Sequence, residues 1–265
     1  MRSDLPEMTA VASRSEPRPI RVAAVADIHC HADRPNPTVE ALARIDPDEA
    51  DLLLLAGDLT TVGQPAEAEV LARACGELAI PVYAVLGNHD WHADLAGEVT
   101  AVLEEGGIHV LERSWAIEEI AGIDVGIVGT KGFIGGFPGS HLPDFGEPLL
   151  RQVYAETTRD VEAIERGLHE VAVCPVRIVV MHYSPITETL EGERQGIWAF
   201  LGTDRLAAPL SAHDPDLVVH GHAHCGRFTG RVGEVDVFNV SVPVIGRHYW
   251  LFELEPASAA GTSIR

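Results

Sequence analysis

The sequence predicts an α/β fold of two sheets with helices on the outside, and three observations predict it. Short apolar runs, mostly rich in Val, Ile and Leu, stop abruptly at polar clusters. Segments with helical spacing of apolar residues lie between many of these runs. Two further regions alternate in the manner of antiparallel strands or hairpins.

Taken in order, "IRVAAVA" (20–26) is a strand of the length and composition that suit burial on both faces, and the segment from Pro37 to Ile45 is a helix. "DLLLLA" (51–56) is the next buried strand, followed by a helix from Pro65 to Leu78. "PVYAVL" (81–86) precedes a helix from Asp94 to Glu105. "WAIEEIAGIDVGIVGT" (115–130) reads as antiparallel strands, and the segment from Pro148 to Val171 as a long helix. "VRIVVM" (176–181) and "DLVVH" (216–220) are buried strands, with a helix from Asp204 to Ser211 between them. "GEVDVFNVSV" (233–242) and "GRHYWLFELE" (246–255) close the chain as antiparallel strands or hairpins. Residues 1–19 and 256–265 read as flexible tails around one domain, 20–255.

Composition narrows the function. A formal net charge of −21, from 19 Lys and Arg against 40 Asp and Glu, comes with no basic run. Such a surface repels a polyanion, which disfavours a nucleic-acid scaffold. No run is long and apolar enough for a membrane span, and the first twenty residues hold only the short apolar piece Met8 to Ala12. The expectation is therefore no signal peptide and a cytoplasmic location. Cys30, Cys75, Cys174 and Cys225 are scattered without a CxxC pair, which fits reduced, buried thiols better than a disulfide framework or a structural zinc site.

In an open α/β sheet, ligands collect at the carboxyl ends of the strands, where loops converge on a rigid frame. Each of the five buried runs delivers Asp, His or Asn at that end: "DIH" (Asp27, His29), "GD" (Asp58), "GNHD" (Asn88, His89, Asp90), "HYSP" (His182) and "GHAH" (His222, His224). Any one of these is a common turn or polar loop. All five, in this order and each at a strand end, are not a chance pattern.

This ordered set resembles the calcineurin-like metallophosphoesterase superfamily over roughly residues 20–255. The resemblance implies a four-layer αββα sandwich of two mixed sheets flanked by helices, with two metal ions at one edge. It implies that Asp27, His29 and His224 hold one ion, that Asn88, His182 and His222 hold the other, and that Asp58 bridges both. Two divalent ions clamp a phosphoryl group and supply hydroxide at neutral pH. Mixed imidazole and oxygen donors suit Mn, Fe, Zn or Co without choosing among them, and Mn is the expected metal in vitro. His89 is then expected to meet the phosphate or protonate the leaving group, with Asp90 orienting its ring.

His31 extends the first motif to "DIHCH", which also resembles the opening of barrel-type PHP phosphoesterases and amidohydrolases. Those folds leave "GNHD" and "GHAH" unexplained, so His31 is expected behind the ligands, facing substrate or as a solvated loop residue. The glycine-rich loop 129–139 could lay Lys131, Phe133 or Phe137 over the site as a cap, or serve as a structural turn. Arg227 and Arg231 are read as hairpin residues rather than phosphate contacts.

The function expected from this reading is hydrolysis of a small phosphate ester, preferably a diester. A phosphomonoesterase, nucleotidase or protein phosphatase on the same fold is the alternative, and a binding protein without turnover a more distant one. The sequence is silent on oligomeric state.

Overall fold

The computed structural model describes residues 18–257. In chain order the strands are β1 (Ile20–Val25), β2 (Leu52–Ala56), β3 (Val82–Val85), β4 (Ile108–Val110), β5 (Ser114–Ile120), β6 (Ile123–Thr130), β7 (Val176–Met181), β8 (Leu217–His220), β9 (Thr229–Val232), β10 (Val235–Asn239) and β11 (Trp250–Leu254). The helices are α1 (Pro37–Leu42), α2 (Pro65–Cys75), α3 (Ala96–Glu105), α4 (Pro148–Glu170), α5 (Ala207–His213) and α6 (Val242–Ile245). Proline at the start of α1, α2 and α4 fits the first helical turn, where its missing N–H costs no hydrogen bond.

The strands form a five-stranded sheet in the order β11-β1-β2-β3-β4 and a six-stranded sheet in the order β5-β6-β7-β8-β10-β9. Strand parity decides the layers. Val22, Ala24, Leu52 and Leu54 point from one sheet, and Ile178, Val180 and Val219 from the other, into a core shared between the sheets. The alternate residues Ala23, Val25, Leu53 and Leu55 face Leu42, Leu71 and Leu103 of α1, α2 and α3. On the opposite side Val179, Met181 and Val218 meet Ile164, Leu168 and Leu210 of α4 and α5. The architecture is the helix–sheet–sheet–helix sandwich, and strands buried on both faces explain why the runs lack polar alternation.

The closing segments are antiparallel strands as expected, and they lie in different sheets: β10 runs antiparallel to β9 and parallel to β8, whereas β11 crosses to the other sheet and pairs antiparallel with β1. The short α6 between them carries the chain across. One expectation needs correction. Cys30, Cys75 and Cys174 are buried as expected, but Cys225 is exposed, because it follows the "GHAH" turn on its solvent side. Most of both expected tails lies outside the described residues, as does Met8 to Ala12. Among the described residues no helix is long and apolar enough to cross a membrane.

Candidate metal centre

β1, β2 and β3 run parallel in one sheet and β6, β7 and β8 in the other, so the loops after these strands emerge along one edge. The loop after β1 carries Asp27 and His29, that after β2 Asp58, and that after β3 Asn88, His89 and Asp90. β7 delivers His182, and β8 delivers His222 and His224. The backbone turns sharply here: Asp27, His29, Asp58 and His222 all adopt positive φ, at 60°, 48°, 51° and 71°. L-residues rarely accept that conformation, and its concentration at one edge marks backbone held under constraint for a purpose.

Two donor clusters result. Asp27, His29, Asp58 and His224 each offer an atom within 4.8 Å of the others, and Asp58, His182 and His222 do the same. Asp58 belongs to both. Its Oδ1 lies 3.3 Å from His182 Nε2, while its Oδ2 lies 3.9 Å from His29 Nε2 and 4.0 Å from His89 Nε2. Asn88 Oδ1 is 3.0 Å from His182 Nε2, so the amide faces the second cluster. Asp27 Oδ1 is 2.9 Å from His224 Nε2, and the backbone N–H of His222 donates to Asp27 Oδ2 at 3.0 Å.

Gly57 and Gly87 make this spacing possible. A Cβ on Gly87 would stand 2.1 Å from Asp58 Oδ1, and one on Gly57 would stand 2.5 Å from His182 Nδ1. Both glycines let backbone come against a ligand side chain where any other residue would push it away.

The electrostatics call for positive charge. Burial pulls His182 down, yet the Asp58 carboxylate outweighs it and lifts the imidazole to about 9. Burial likewise opposes ionisation of Asp58, but His182 and the His89 N–H hold its carboxyl well below the usual range. His222, with burial dominant, is pulled down to about 3 and is a neutral donor. A hydrogen bond to Asp27 raises His224. Two buried carboxylates ringed by imidazoles, with an amide oxygen beside them, form a donor set that fits a pair of borderline divalent ions, whose binding displaces these protons.

The surroundings revise one expectation and decide one alternative. Asp90 does not orient His89. Its fully buried carboxylate accepts from Gly87 N at 2.7 Å, Thr60 N at 2.8 Å, Thr60 Oγ1 at 2.6 Å and Leu59 N at 3.2 Å, tying the Asp58 loop to the "GNHD" turn. The partner of the His89 ring is a backbone group, the Thr61 carbonyl, 2.7 Å from Nδ1. The loop 129–139 is packed rather than poised as a cap: Phe137 is buried with Leu190, Leu201 and Ala223, and Gly136 N donates to Gly202 O at 2.9 Å. His31 is half-buried and belongs to neither donor cluster. Arg231 sits on the β9–β10 hairpin, where it pairs with Asp236, whereas Arg227 precedes β9 and pairs with Glu191.

Beside Asn88 opens a cleft of about 430 Å³ lined by Trp91, Glu112, Arg113, Lys131, Phe133, Glu156 and Tyr183. Lys131 and Phe133 were singled out in the sequence. Trp91 and Tyr183 were not, although Trp91 directly follows "GNHD" and Tyr183 directly follows His182. Arg113 and Glu156 carried no local signal, since only the fold brings them beside Lys131.

A family model described as Calcineurin-like phosphoesterase matches residues 20–226. Among curated proteins, Purple acid phosphatase 3 of Arabidopsis thaliana is 27% identical over 158 residues, covering 55% of this chain and 38% of that protein. Purple acid phosphatase 4 of the same plant is 28% identical over 151 residues, covering 55% and 41%. This chain thus spans about two-fifths of the length of those relatives. Among solved structures, the phosphopantetheinyl hydrolase PptH of Mycobacterium tuberculosis superposes with a TM-score of 0.65 at 16% identity, over 92% of this chain and 100% of that one. TT1561 of Thermus thermophilus does so at 0.57 and 18% identity, over 83% and 88%. These superpositions speak for the fold; together with the family match and the ordered ligand motifs, they show that the chain belongs to the calcineurin-like phosphoesterase family.

Proposed function

We propose that this chain is a phosphoric ester hydrolase working with two divalent metal ions, held by Asp27, His29, Asp58 and His224 on one side and by Asp58, Asn88, His182 and His222 on the other. The observation that carries this reading is Asp58, one buried carboxylate shared by two donor clusters at the ligand edge of both sheets. When bound, such a metal pair supplies Lewis acidity and a nucleophile at neutral pH. Mn is the metal we expect to support activity in vitro.

The residues of the chain do the rest. The Thr61 carbonyl accepts only from a ring N–H, so it fixes the proton on Nδ1 of His89 and leaves Nε2 as the atom that exchanges a proton. From the doubly protonated ring, Nε2–H then gives its proton to the leaving-group oxygen and the ring returns to the neutral Nδ1–H form. Asp90 keeps the two ligand loops in register, and Lys131 and Phe133, rather than His31, face the substrate. Residues 20–255 act as one catalytic domain. The scattered cysteines, with no disulfide among the described residues, fit a reducing compartment such as the cytoplasm.

Small esters are the substrates this reading favours. Room beside Asn88 for a second ester group supports a diester; the name phosphatase carried by the curated relatives supports a monoester. The test is elemental analysis of the Mn-loaded protein combined with phosphate release from matched mono- and diesters. Two metals per chain and metal-dependent turnover are expected. One metal or none in active protein would overturn the reading.

A further inference from the structure

The cleft beside the metal centre has a composition that the hydrolytic chemistry does not call for. Lys131 Nζ lies 4.4 Å from the ring centre of Phe133, 5.1 Å from that of Tyr183 and 5.9 Å from that of Trp91. Three aromatic faces therefore gather about one ammonium group. Among the described residues this group makes one hydrogen bond, to Gly132 O at 3.1 Å, which leaves two of its three N–H donors unspent. Trp91 is 45% exposed, a large indole kept at a lip where packing does not require it.

The other charges in the cleft are committed or of the wrong sign for a second anion. Arg113 Nη2 donates to Glu156 at 2.7 Å and its Nε to Asp160 at 2.7 Å, so its charge is already matched. Glu112 and Glu156 border the same space and oppose another phosphate or carboxylate. A purely aliphatic group would bury against the rings but would cover the Lys131 ammonium without replacing its water, a desolvation that costs free energy. A flat ring stacks on the aromatic walls, and an acceptor on its edge takes a Lys131 N–H.

We infer that the cleft formed by Trp91, Lys131, Phe133 and Tyr183 is a leaving-group subsite for phosphate esters whose leaving group carries a planar aromatic ring with a hydrogen-bond acceptor on its edge. This rests on the hydrolase reading above, because Asn88 lines the cleft and faces the second donor cluster, placing the ester next to the ring. Trp91 supplies the stacking face and Lys131 the acceptor contact; both determine specificity without touching the reacting atoms.

The test uses three esters with leaving groups of similar basicity: the 2-(pyridin-4-yl)ethyl, 2-phenylethyl and 2-cyclohexylethyl phosphates, each as the monoester and the methyl diester, at pH 8. In the Mn-loaded protein kcat/KM should fall in that order, with stacking alone giving roughly five- to tenfold between the phenyl and cyclohexyl esters. Trp91→Ala should remove the phenyl-over-cyclohexyl preference. Lys131→Met should remove the pyridyl-over-phenyl preference, and Lys131→Gln should restore part of it. Independently of turnover, the neutral alcohol 2-(pyridin-4-yl)ethanol should shift the Trp91 indole N–H resonance, assigned with Trp91→Phe, at lower concentration than 2-cyclohexylethanol. Turnover of all three esters at equal kcat/KM would overturn the subsite and leave the hydrolase reading standing. Ring-selective shifts at Trp91 in a protein that hydrolyses none of the esters would support the subsite and overturn the hydrolase reading.

Discussion

The Nδ1 atom of His89 lies 2.7 Å from the carbonyl oxygen of Thr61, and the backbone N–H of the same histidine donates to Asp58 Oδ1 at 2.8 Å. One residue is thereby fixed through its ring and through its backbone, and its free ring nitrogen lies 4.0 Å from the shared carboxylate. His89→Ala and His89→Asn are expected to retain the metals yet slow turnover ~10²–10⁴-fold, the usual range for a general acid. The loss should be greatest for esters with basic leaving groups. Equal impairment across leaving-group basicities would remove the proton-donor role.

Gly87 shows that the site depends on residues that bind nothing. A Cβ there would meet Asp58 Oδ1 at 2.1 Å and Asp58 N at 2.2 Å. Gly87→Ala should therefore displace the shared carboxylate and lower metal affinity by about 10–100-fold, as losses in the support of a ligand commonly do. Asp58→Ala should abolish two-metal binding while far-ultraviolet circular dichroism stays native. Titration with Mn, read by calorimetry, checks both.

Asp90 is expected to act on stability rather than on the pH–rate profile. Its carboxylate accepts four hydrogen bonds in a fully buried position, and an amide would turn N–H toward donors. Asp90→Asn should cost about 2–3 kcal/mol in chemical denaturation, in the range for hydrogen bonds to a charged group. A normal stability with a shifted acidic limb would instead restore a role in orienting His89.

The acidic surface leads to a competition experiment. With a net charge of −21, a long nucleic acid is repelled over most of the protein. Hydrolysis of a small ester should be unaffected by excess duplex DNA, single-stranded DNA or RNA at low salt, where attraction would be strongest. Strong inhibition or processive cleavage of the polymer would contradict the preference for small esters.

Away from the site, Asp51 anchors the start of β2 through Arg18, at 2.8 and 2.6 Å, and Arg21. Burial favours the neutral acid, but the two guanidinium groups outweigh it and hold the carboxyl well below its ordinary value. Because the folded pKa lies below the unfolded one, the stabilisation is present above about pH 4 and disappears as pH falls from there through the folded pKa. Asp51→Asn should lower stability by about 1–2 kcal/mol at pH 7, the partly exposed arginines limiting the effect, and the gap to wild type should narrow progressively once pH falls below about 4. Urea melts at pH 7 and pH 2.5 measure it.

The sequence by itself determined the α/β class, the helical segments along the chain and the five ligand-bearing strand ends. Apolar runs that stop at Asp, His or Asn are a local signal, and strand ends are where a sheet gathers its loops. Which face of each run met a helix and which met the other sheet was decided by tertiary structure, because a strand buried on both sides shows no alternation to read. The partner of "GRHYWLFELE" was also decided by tertiary structure: its alternation marks a strand, but pairing with β1 across the molecule is a long-range contact that no local pattern encodes. The role of Asp90 was equally hidden. Adjacency to His89 indicated one partner, whereas the fold turned the carboxylate inward to four donors, three of them some thirty residues away in sequence. The cleft of Trp91, Lys131 and Tyr183 joins side chains from three separate loops, and only the packing of β3, β6 and β7 brings them together. Local chemistry wrote the ligands into the sequence; long-range packing chose their supports and the walls beside them.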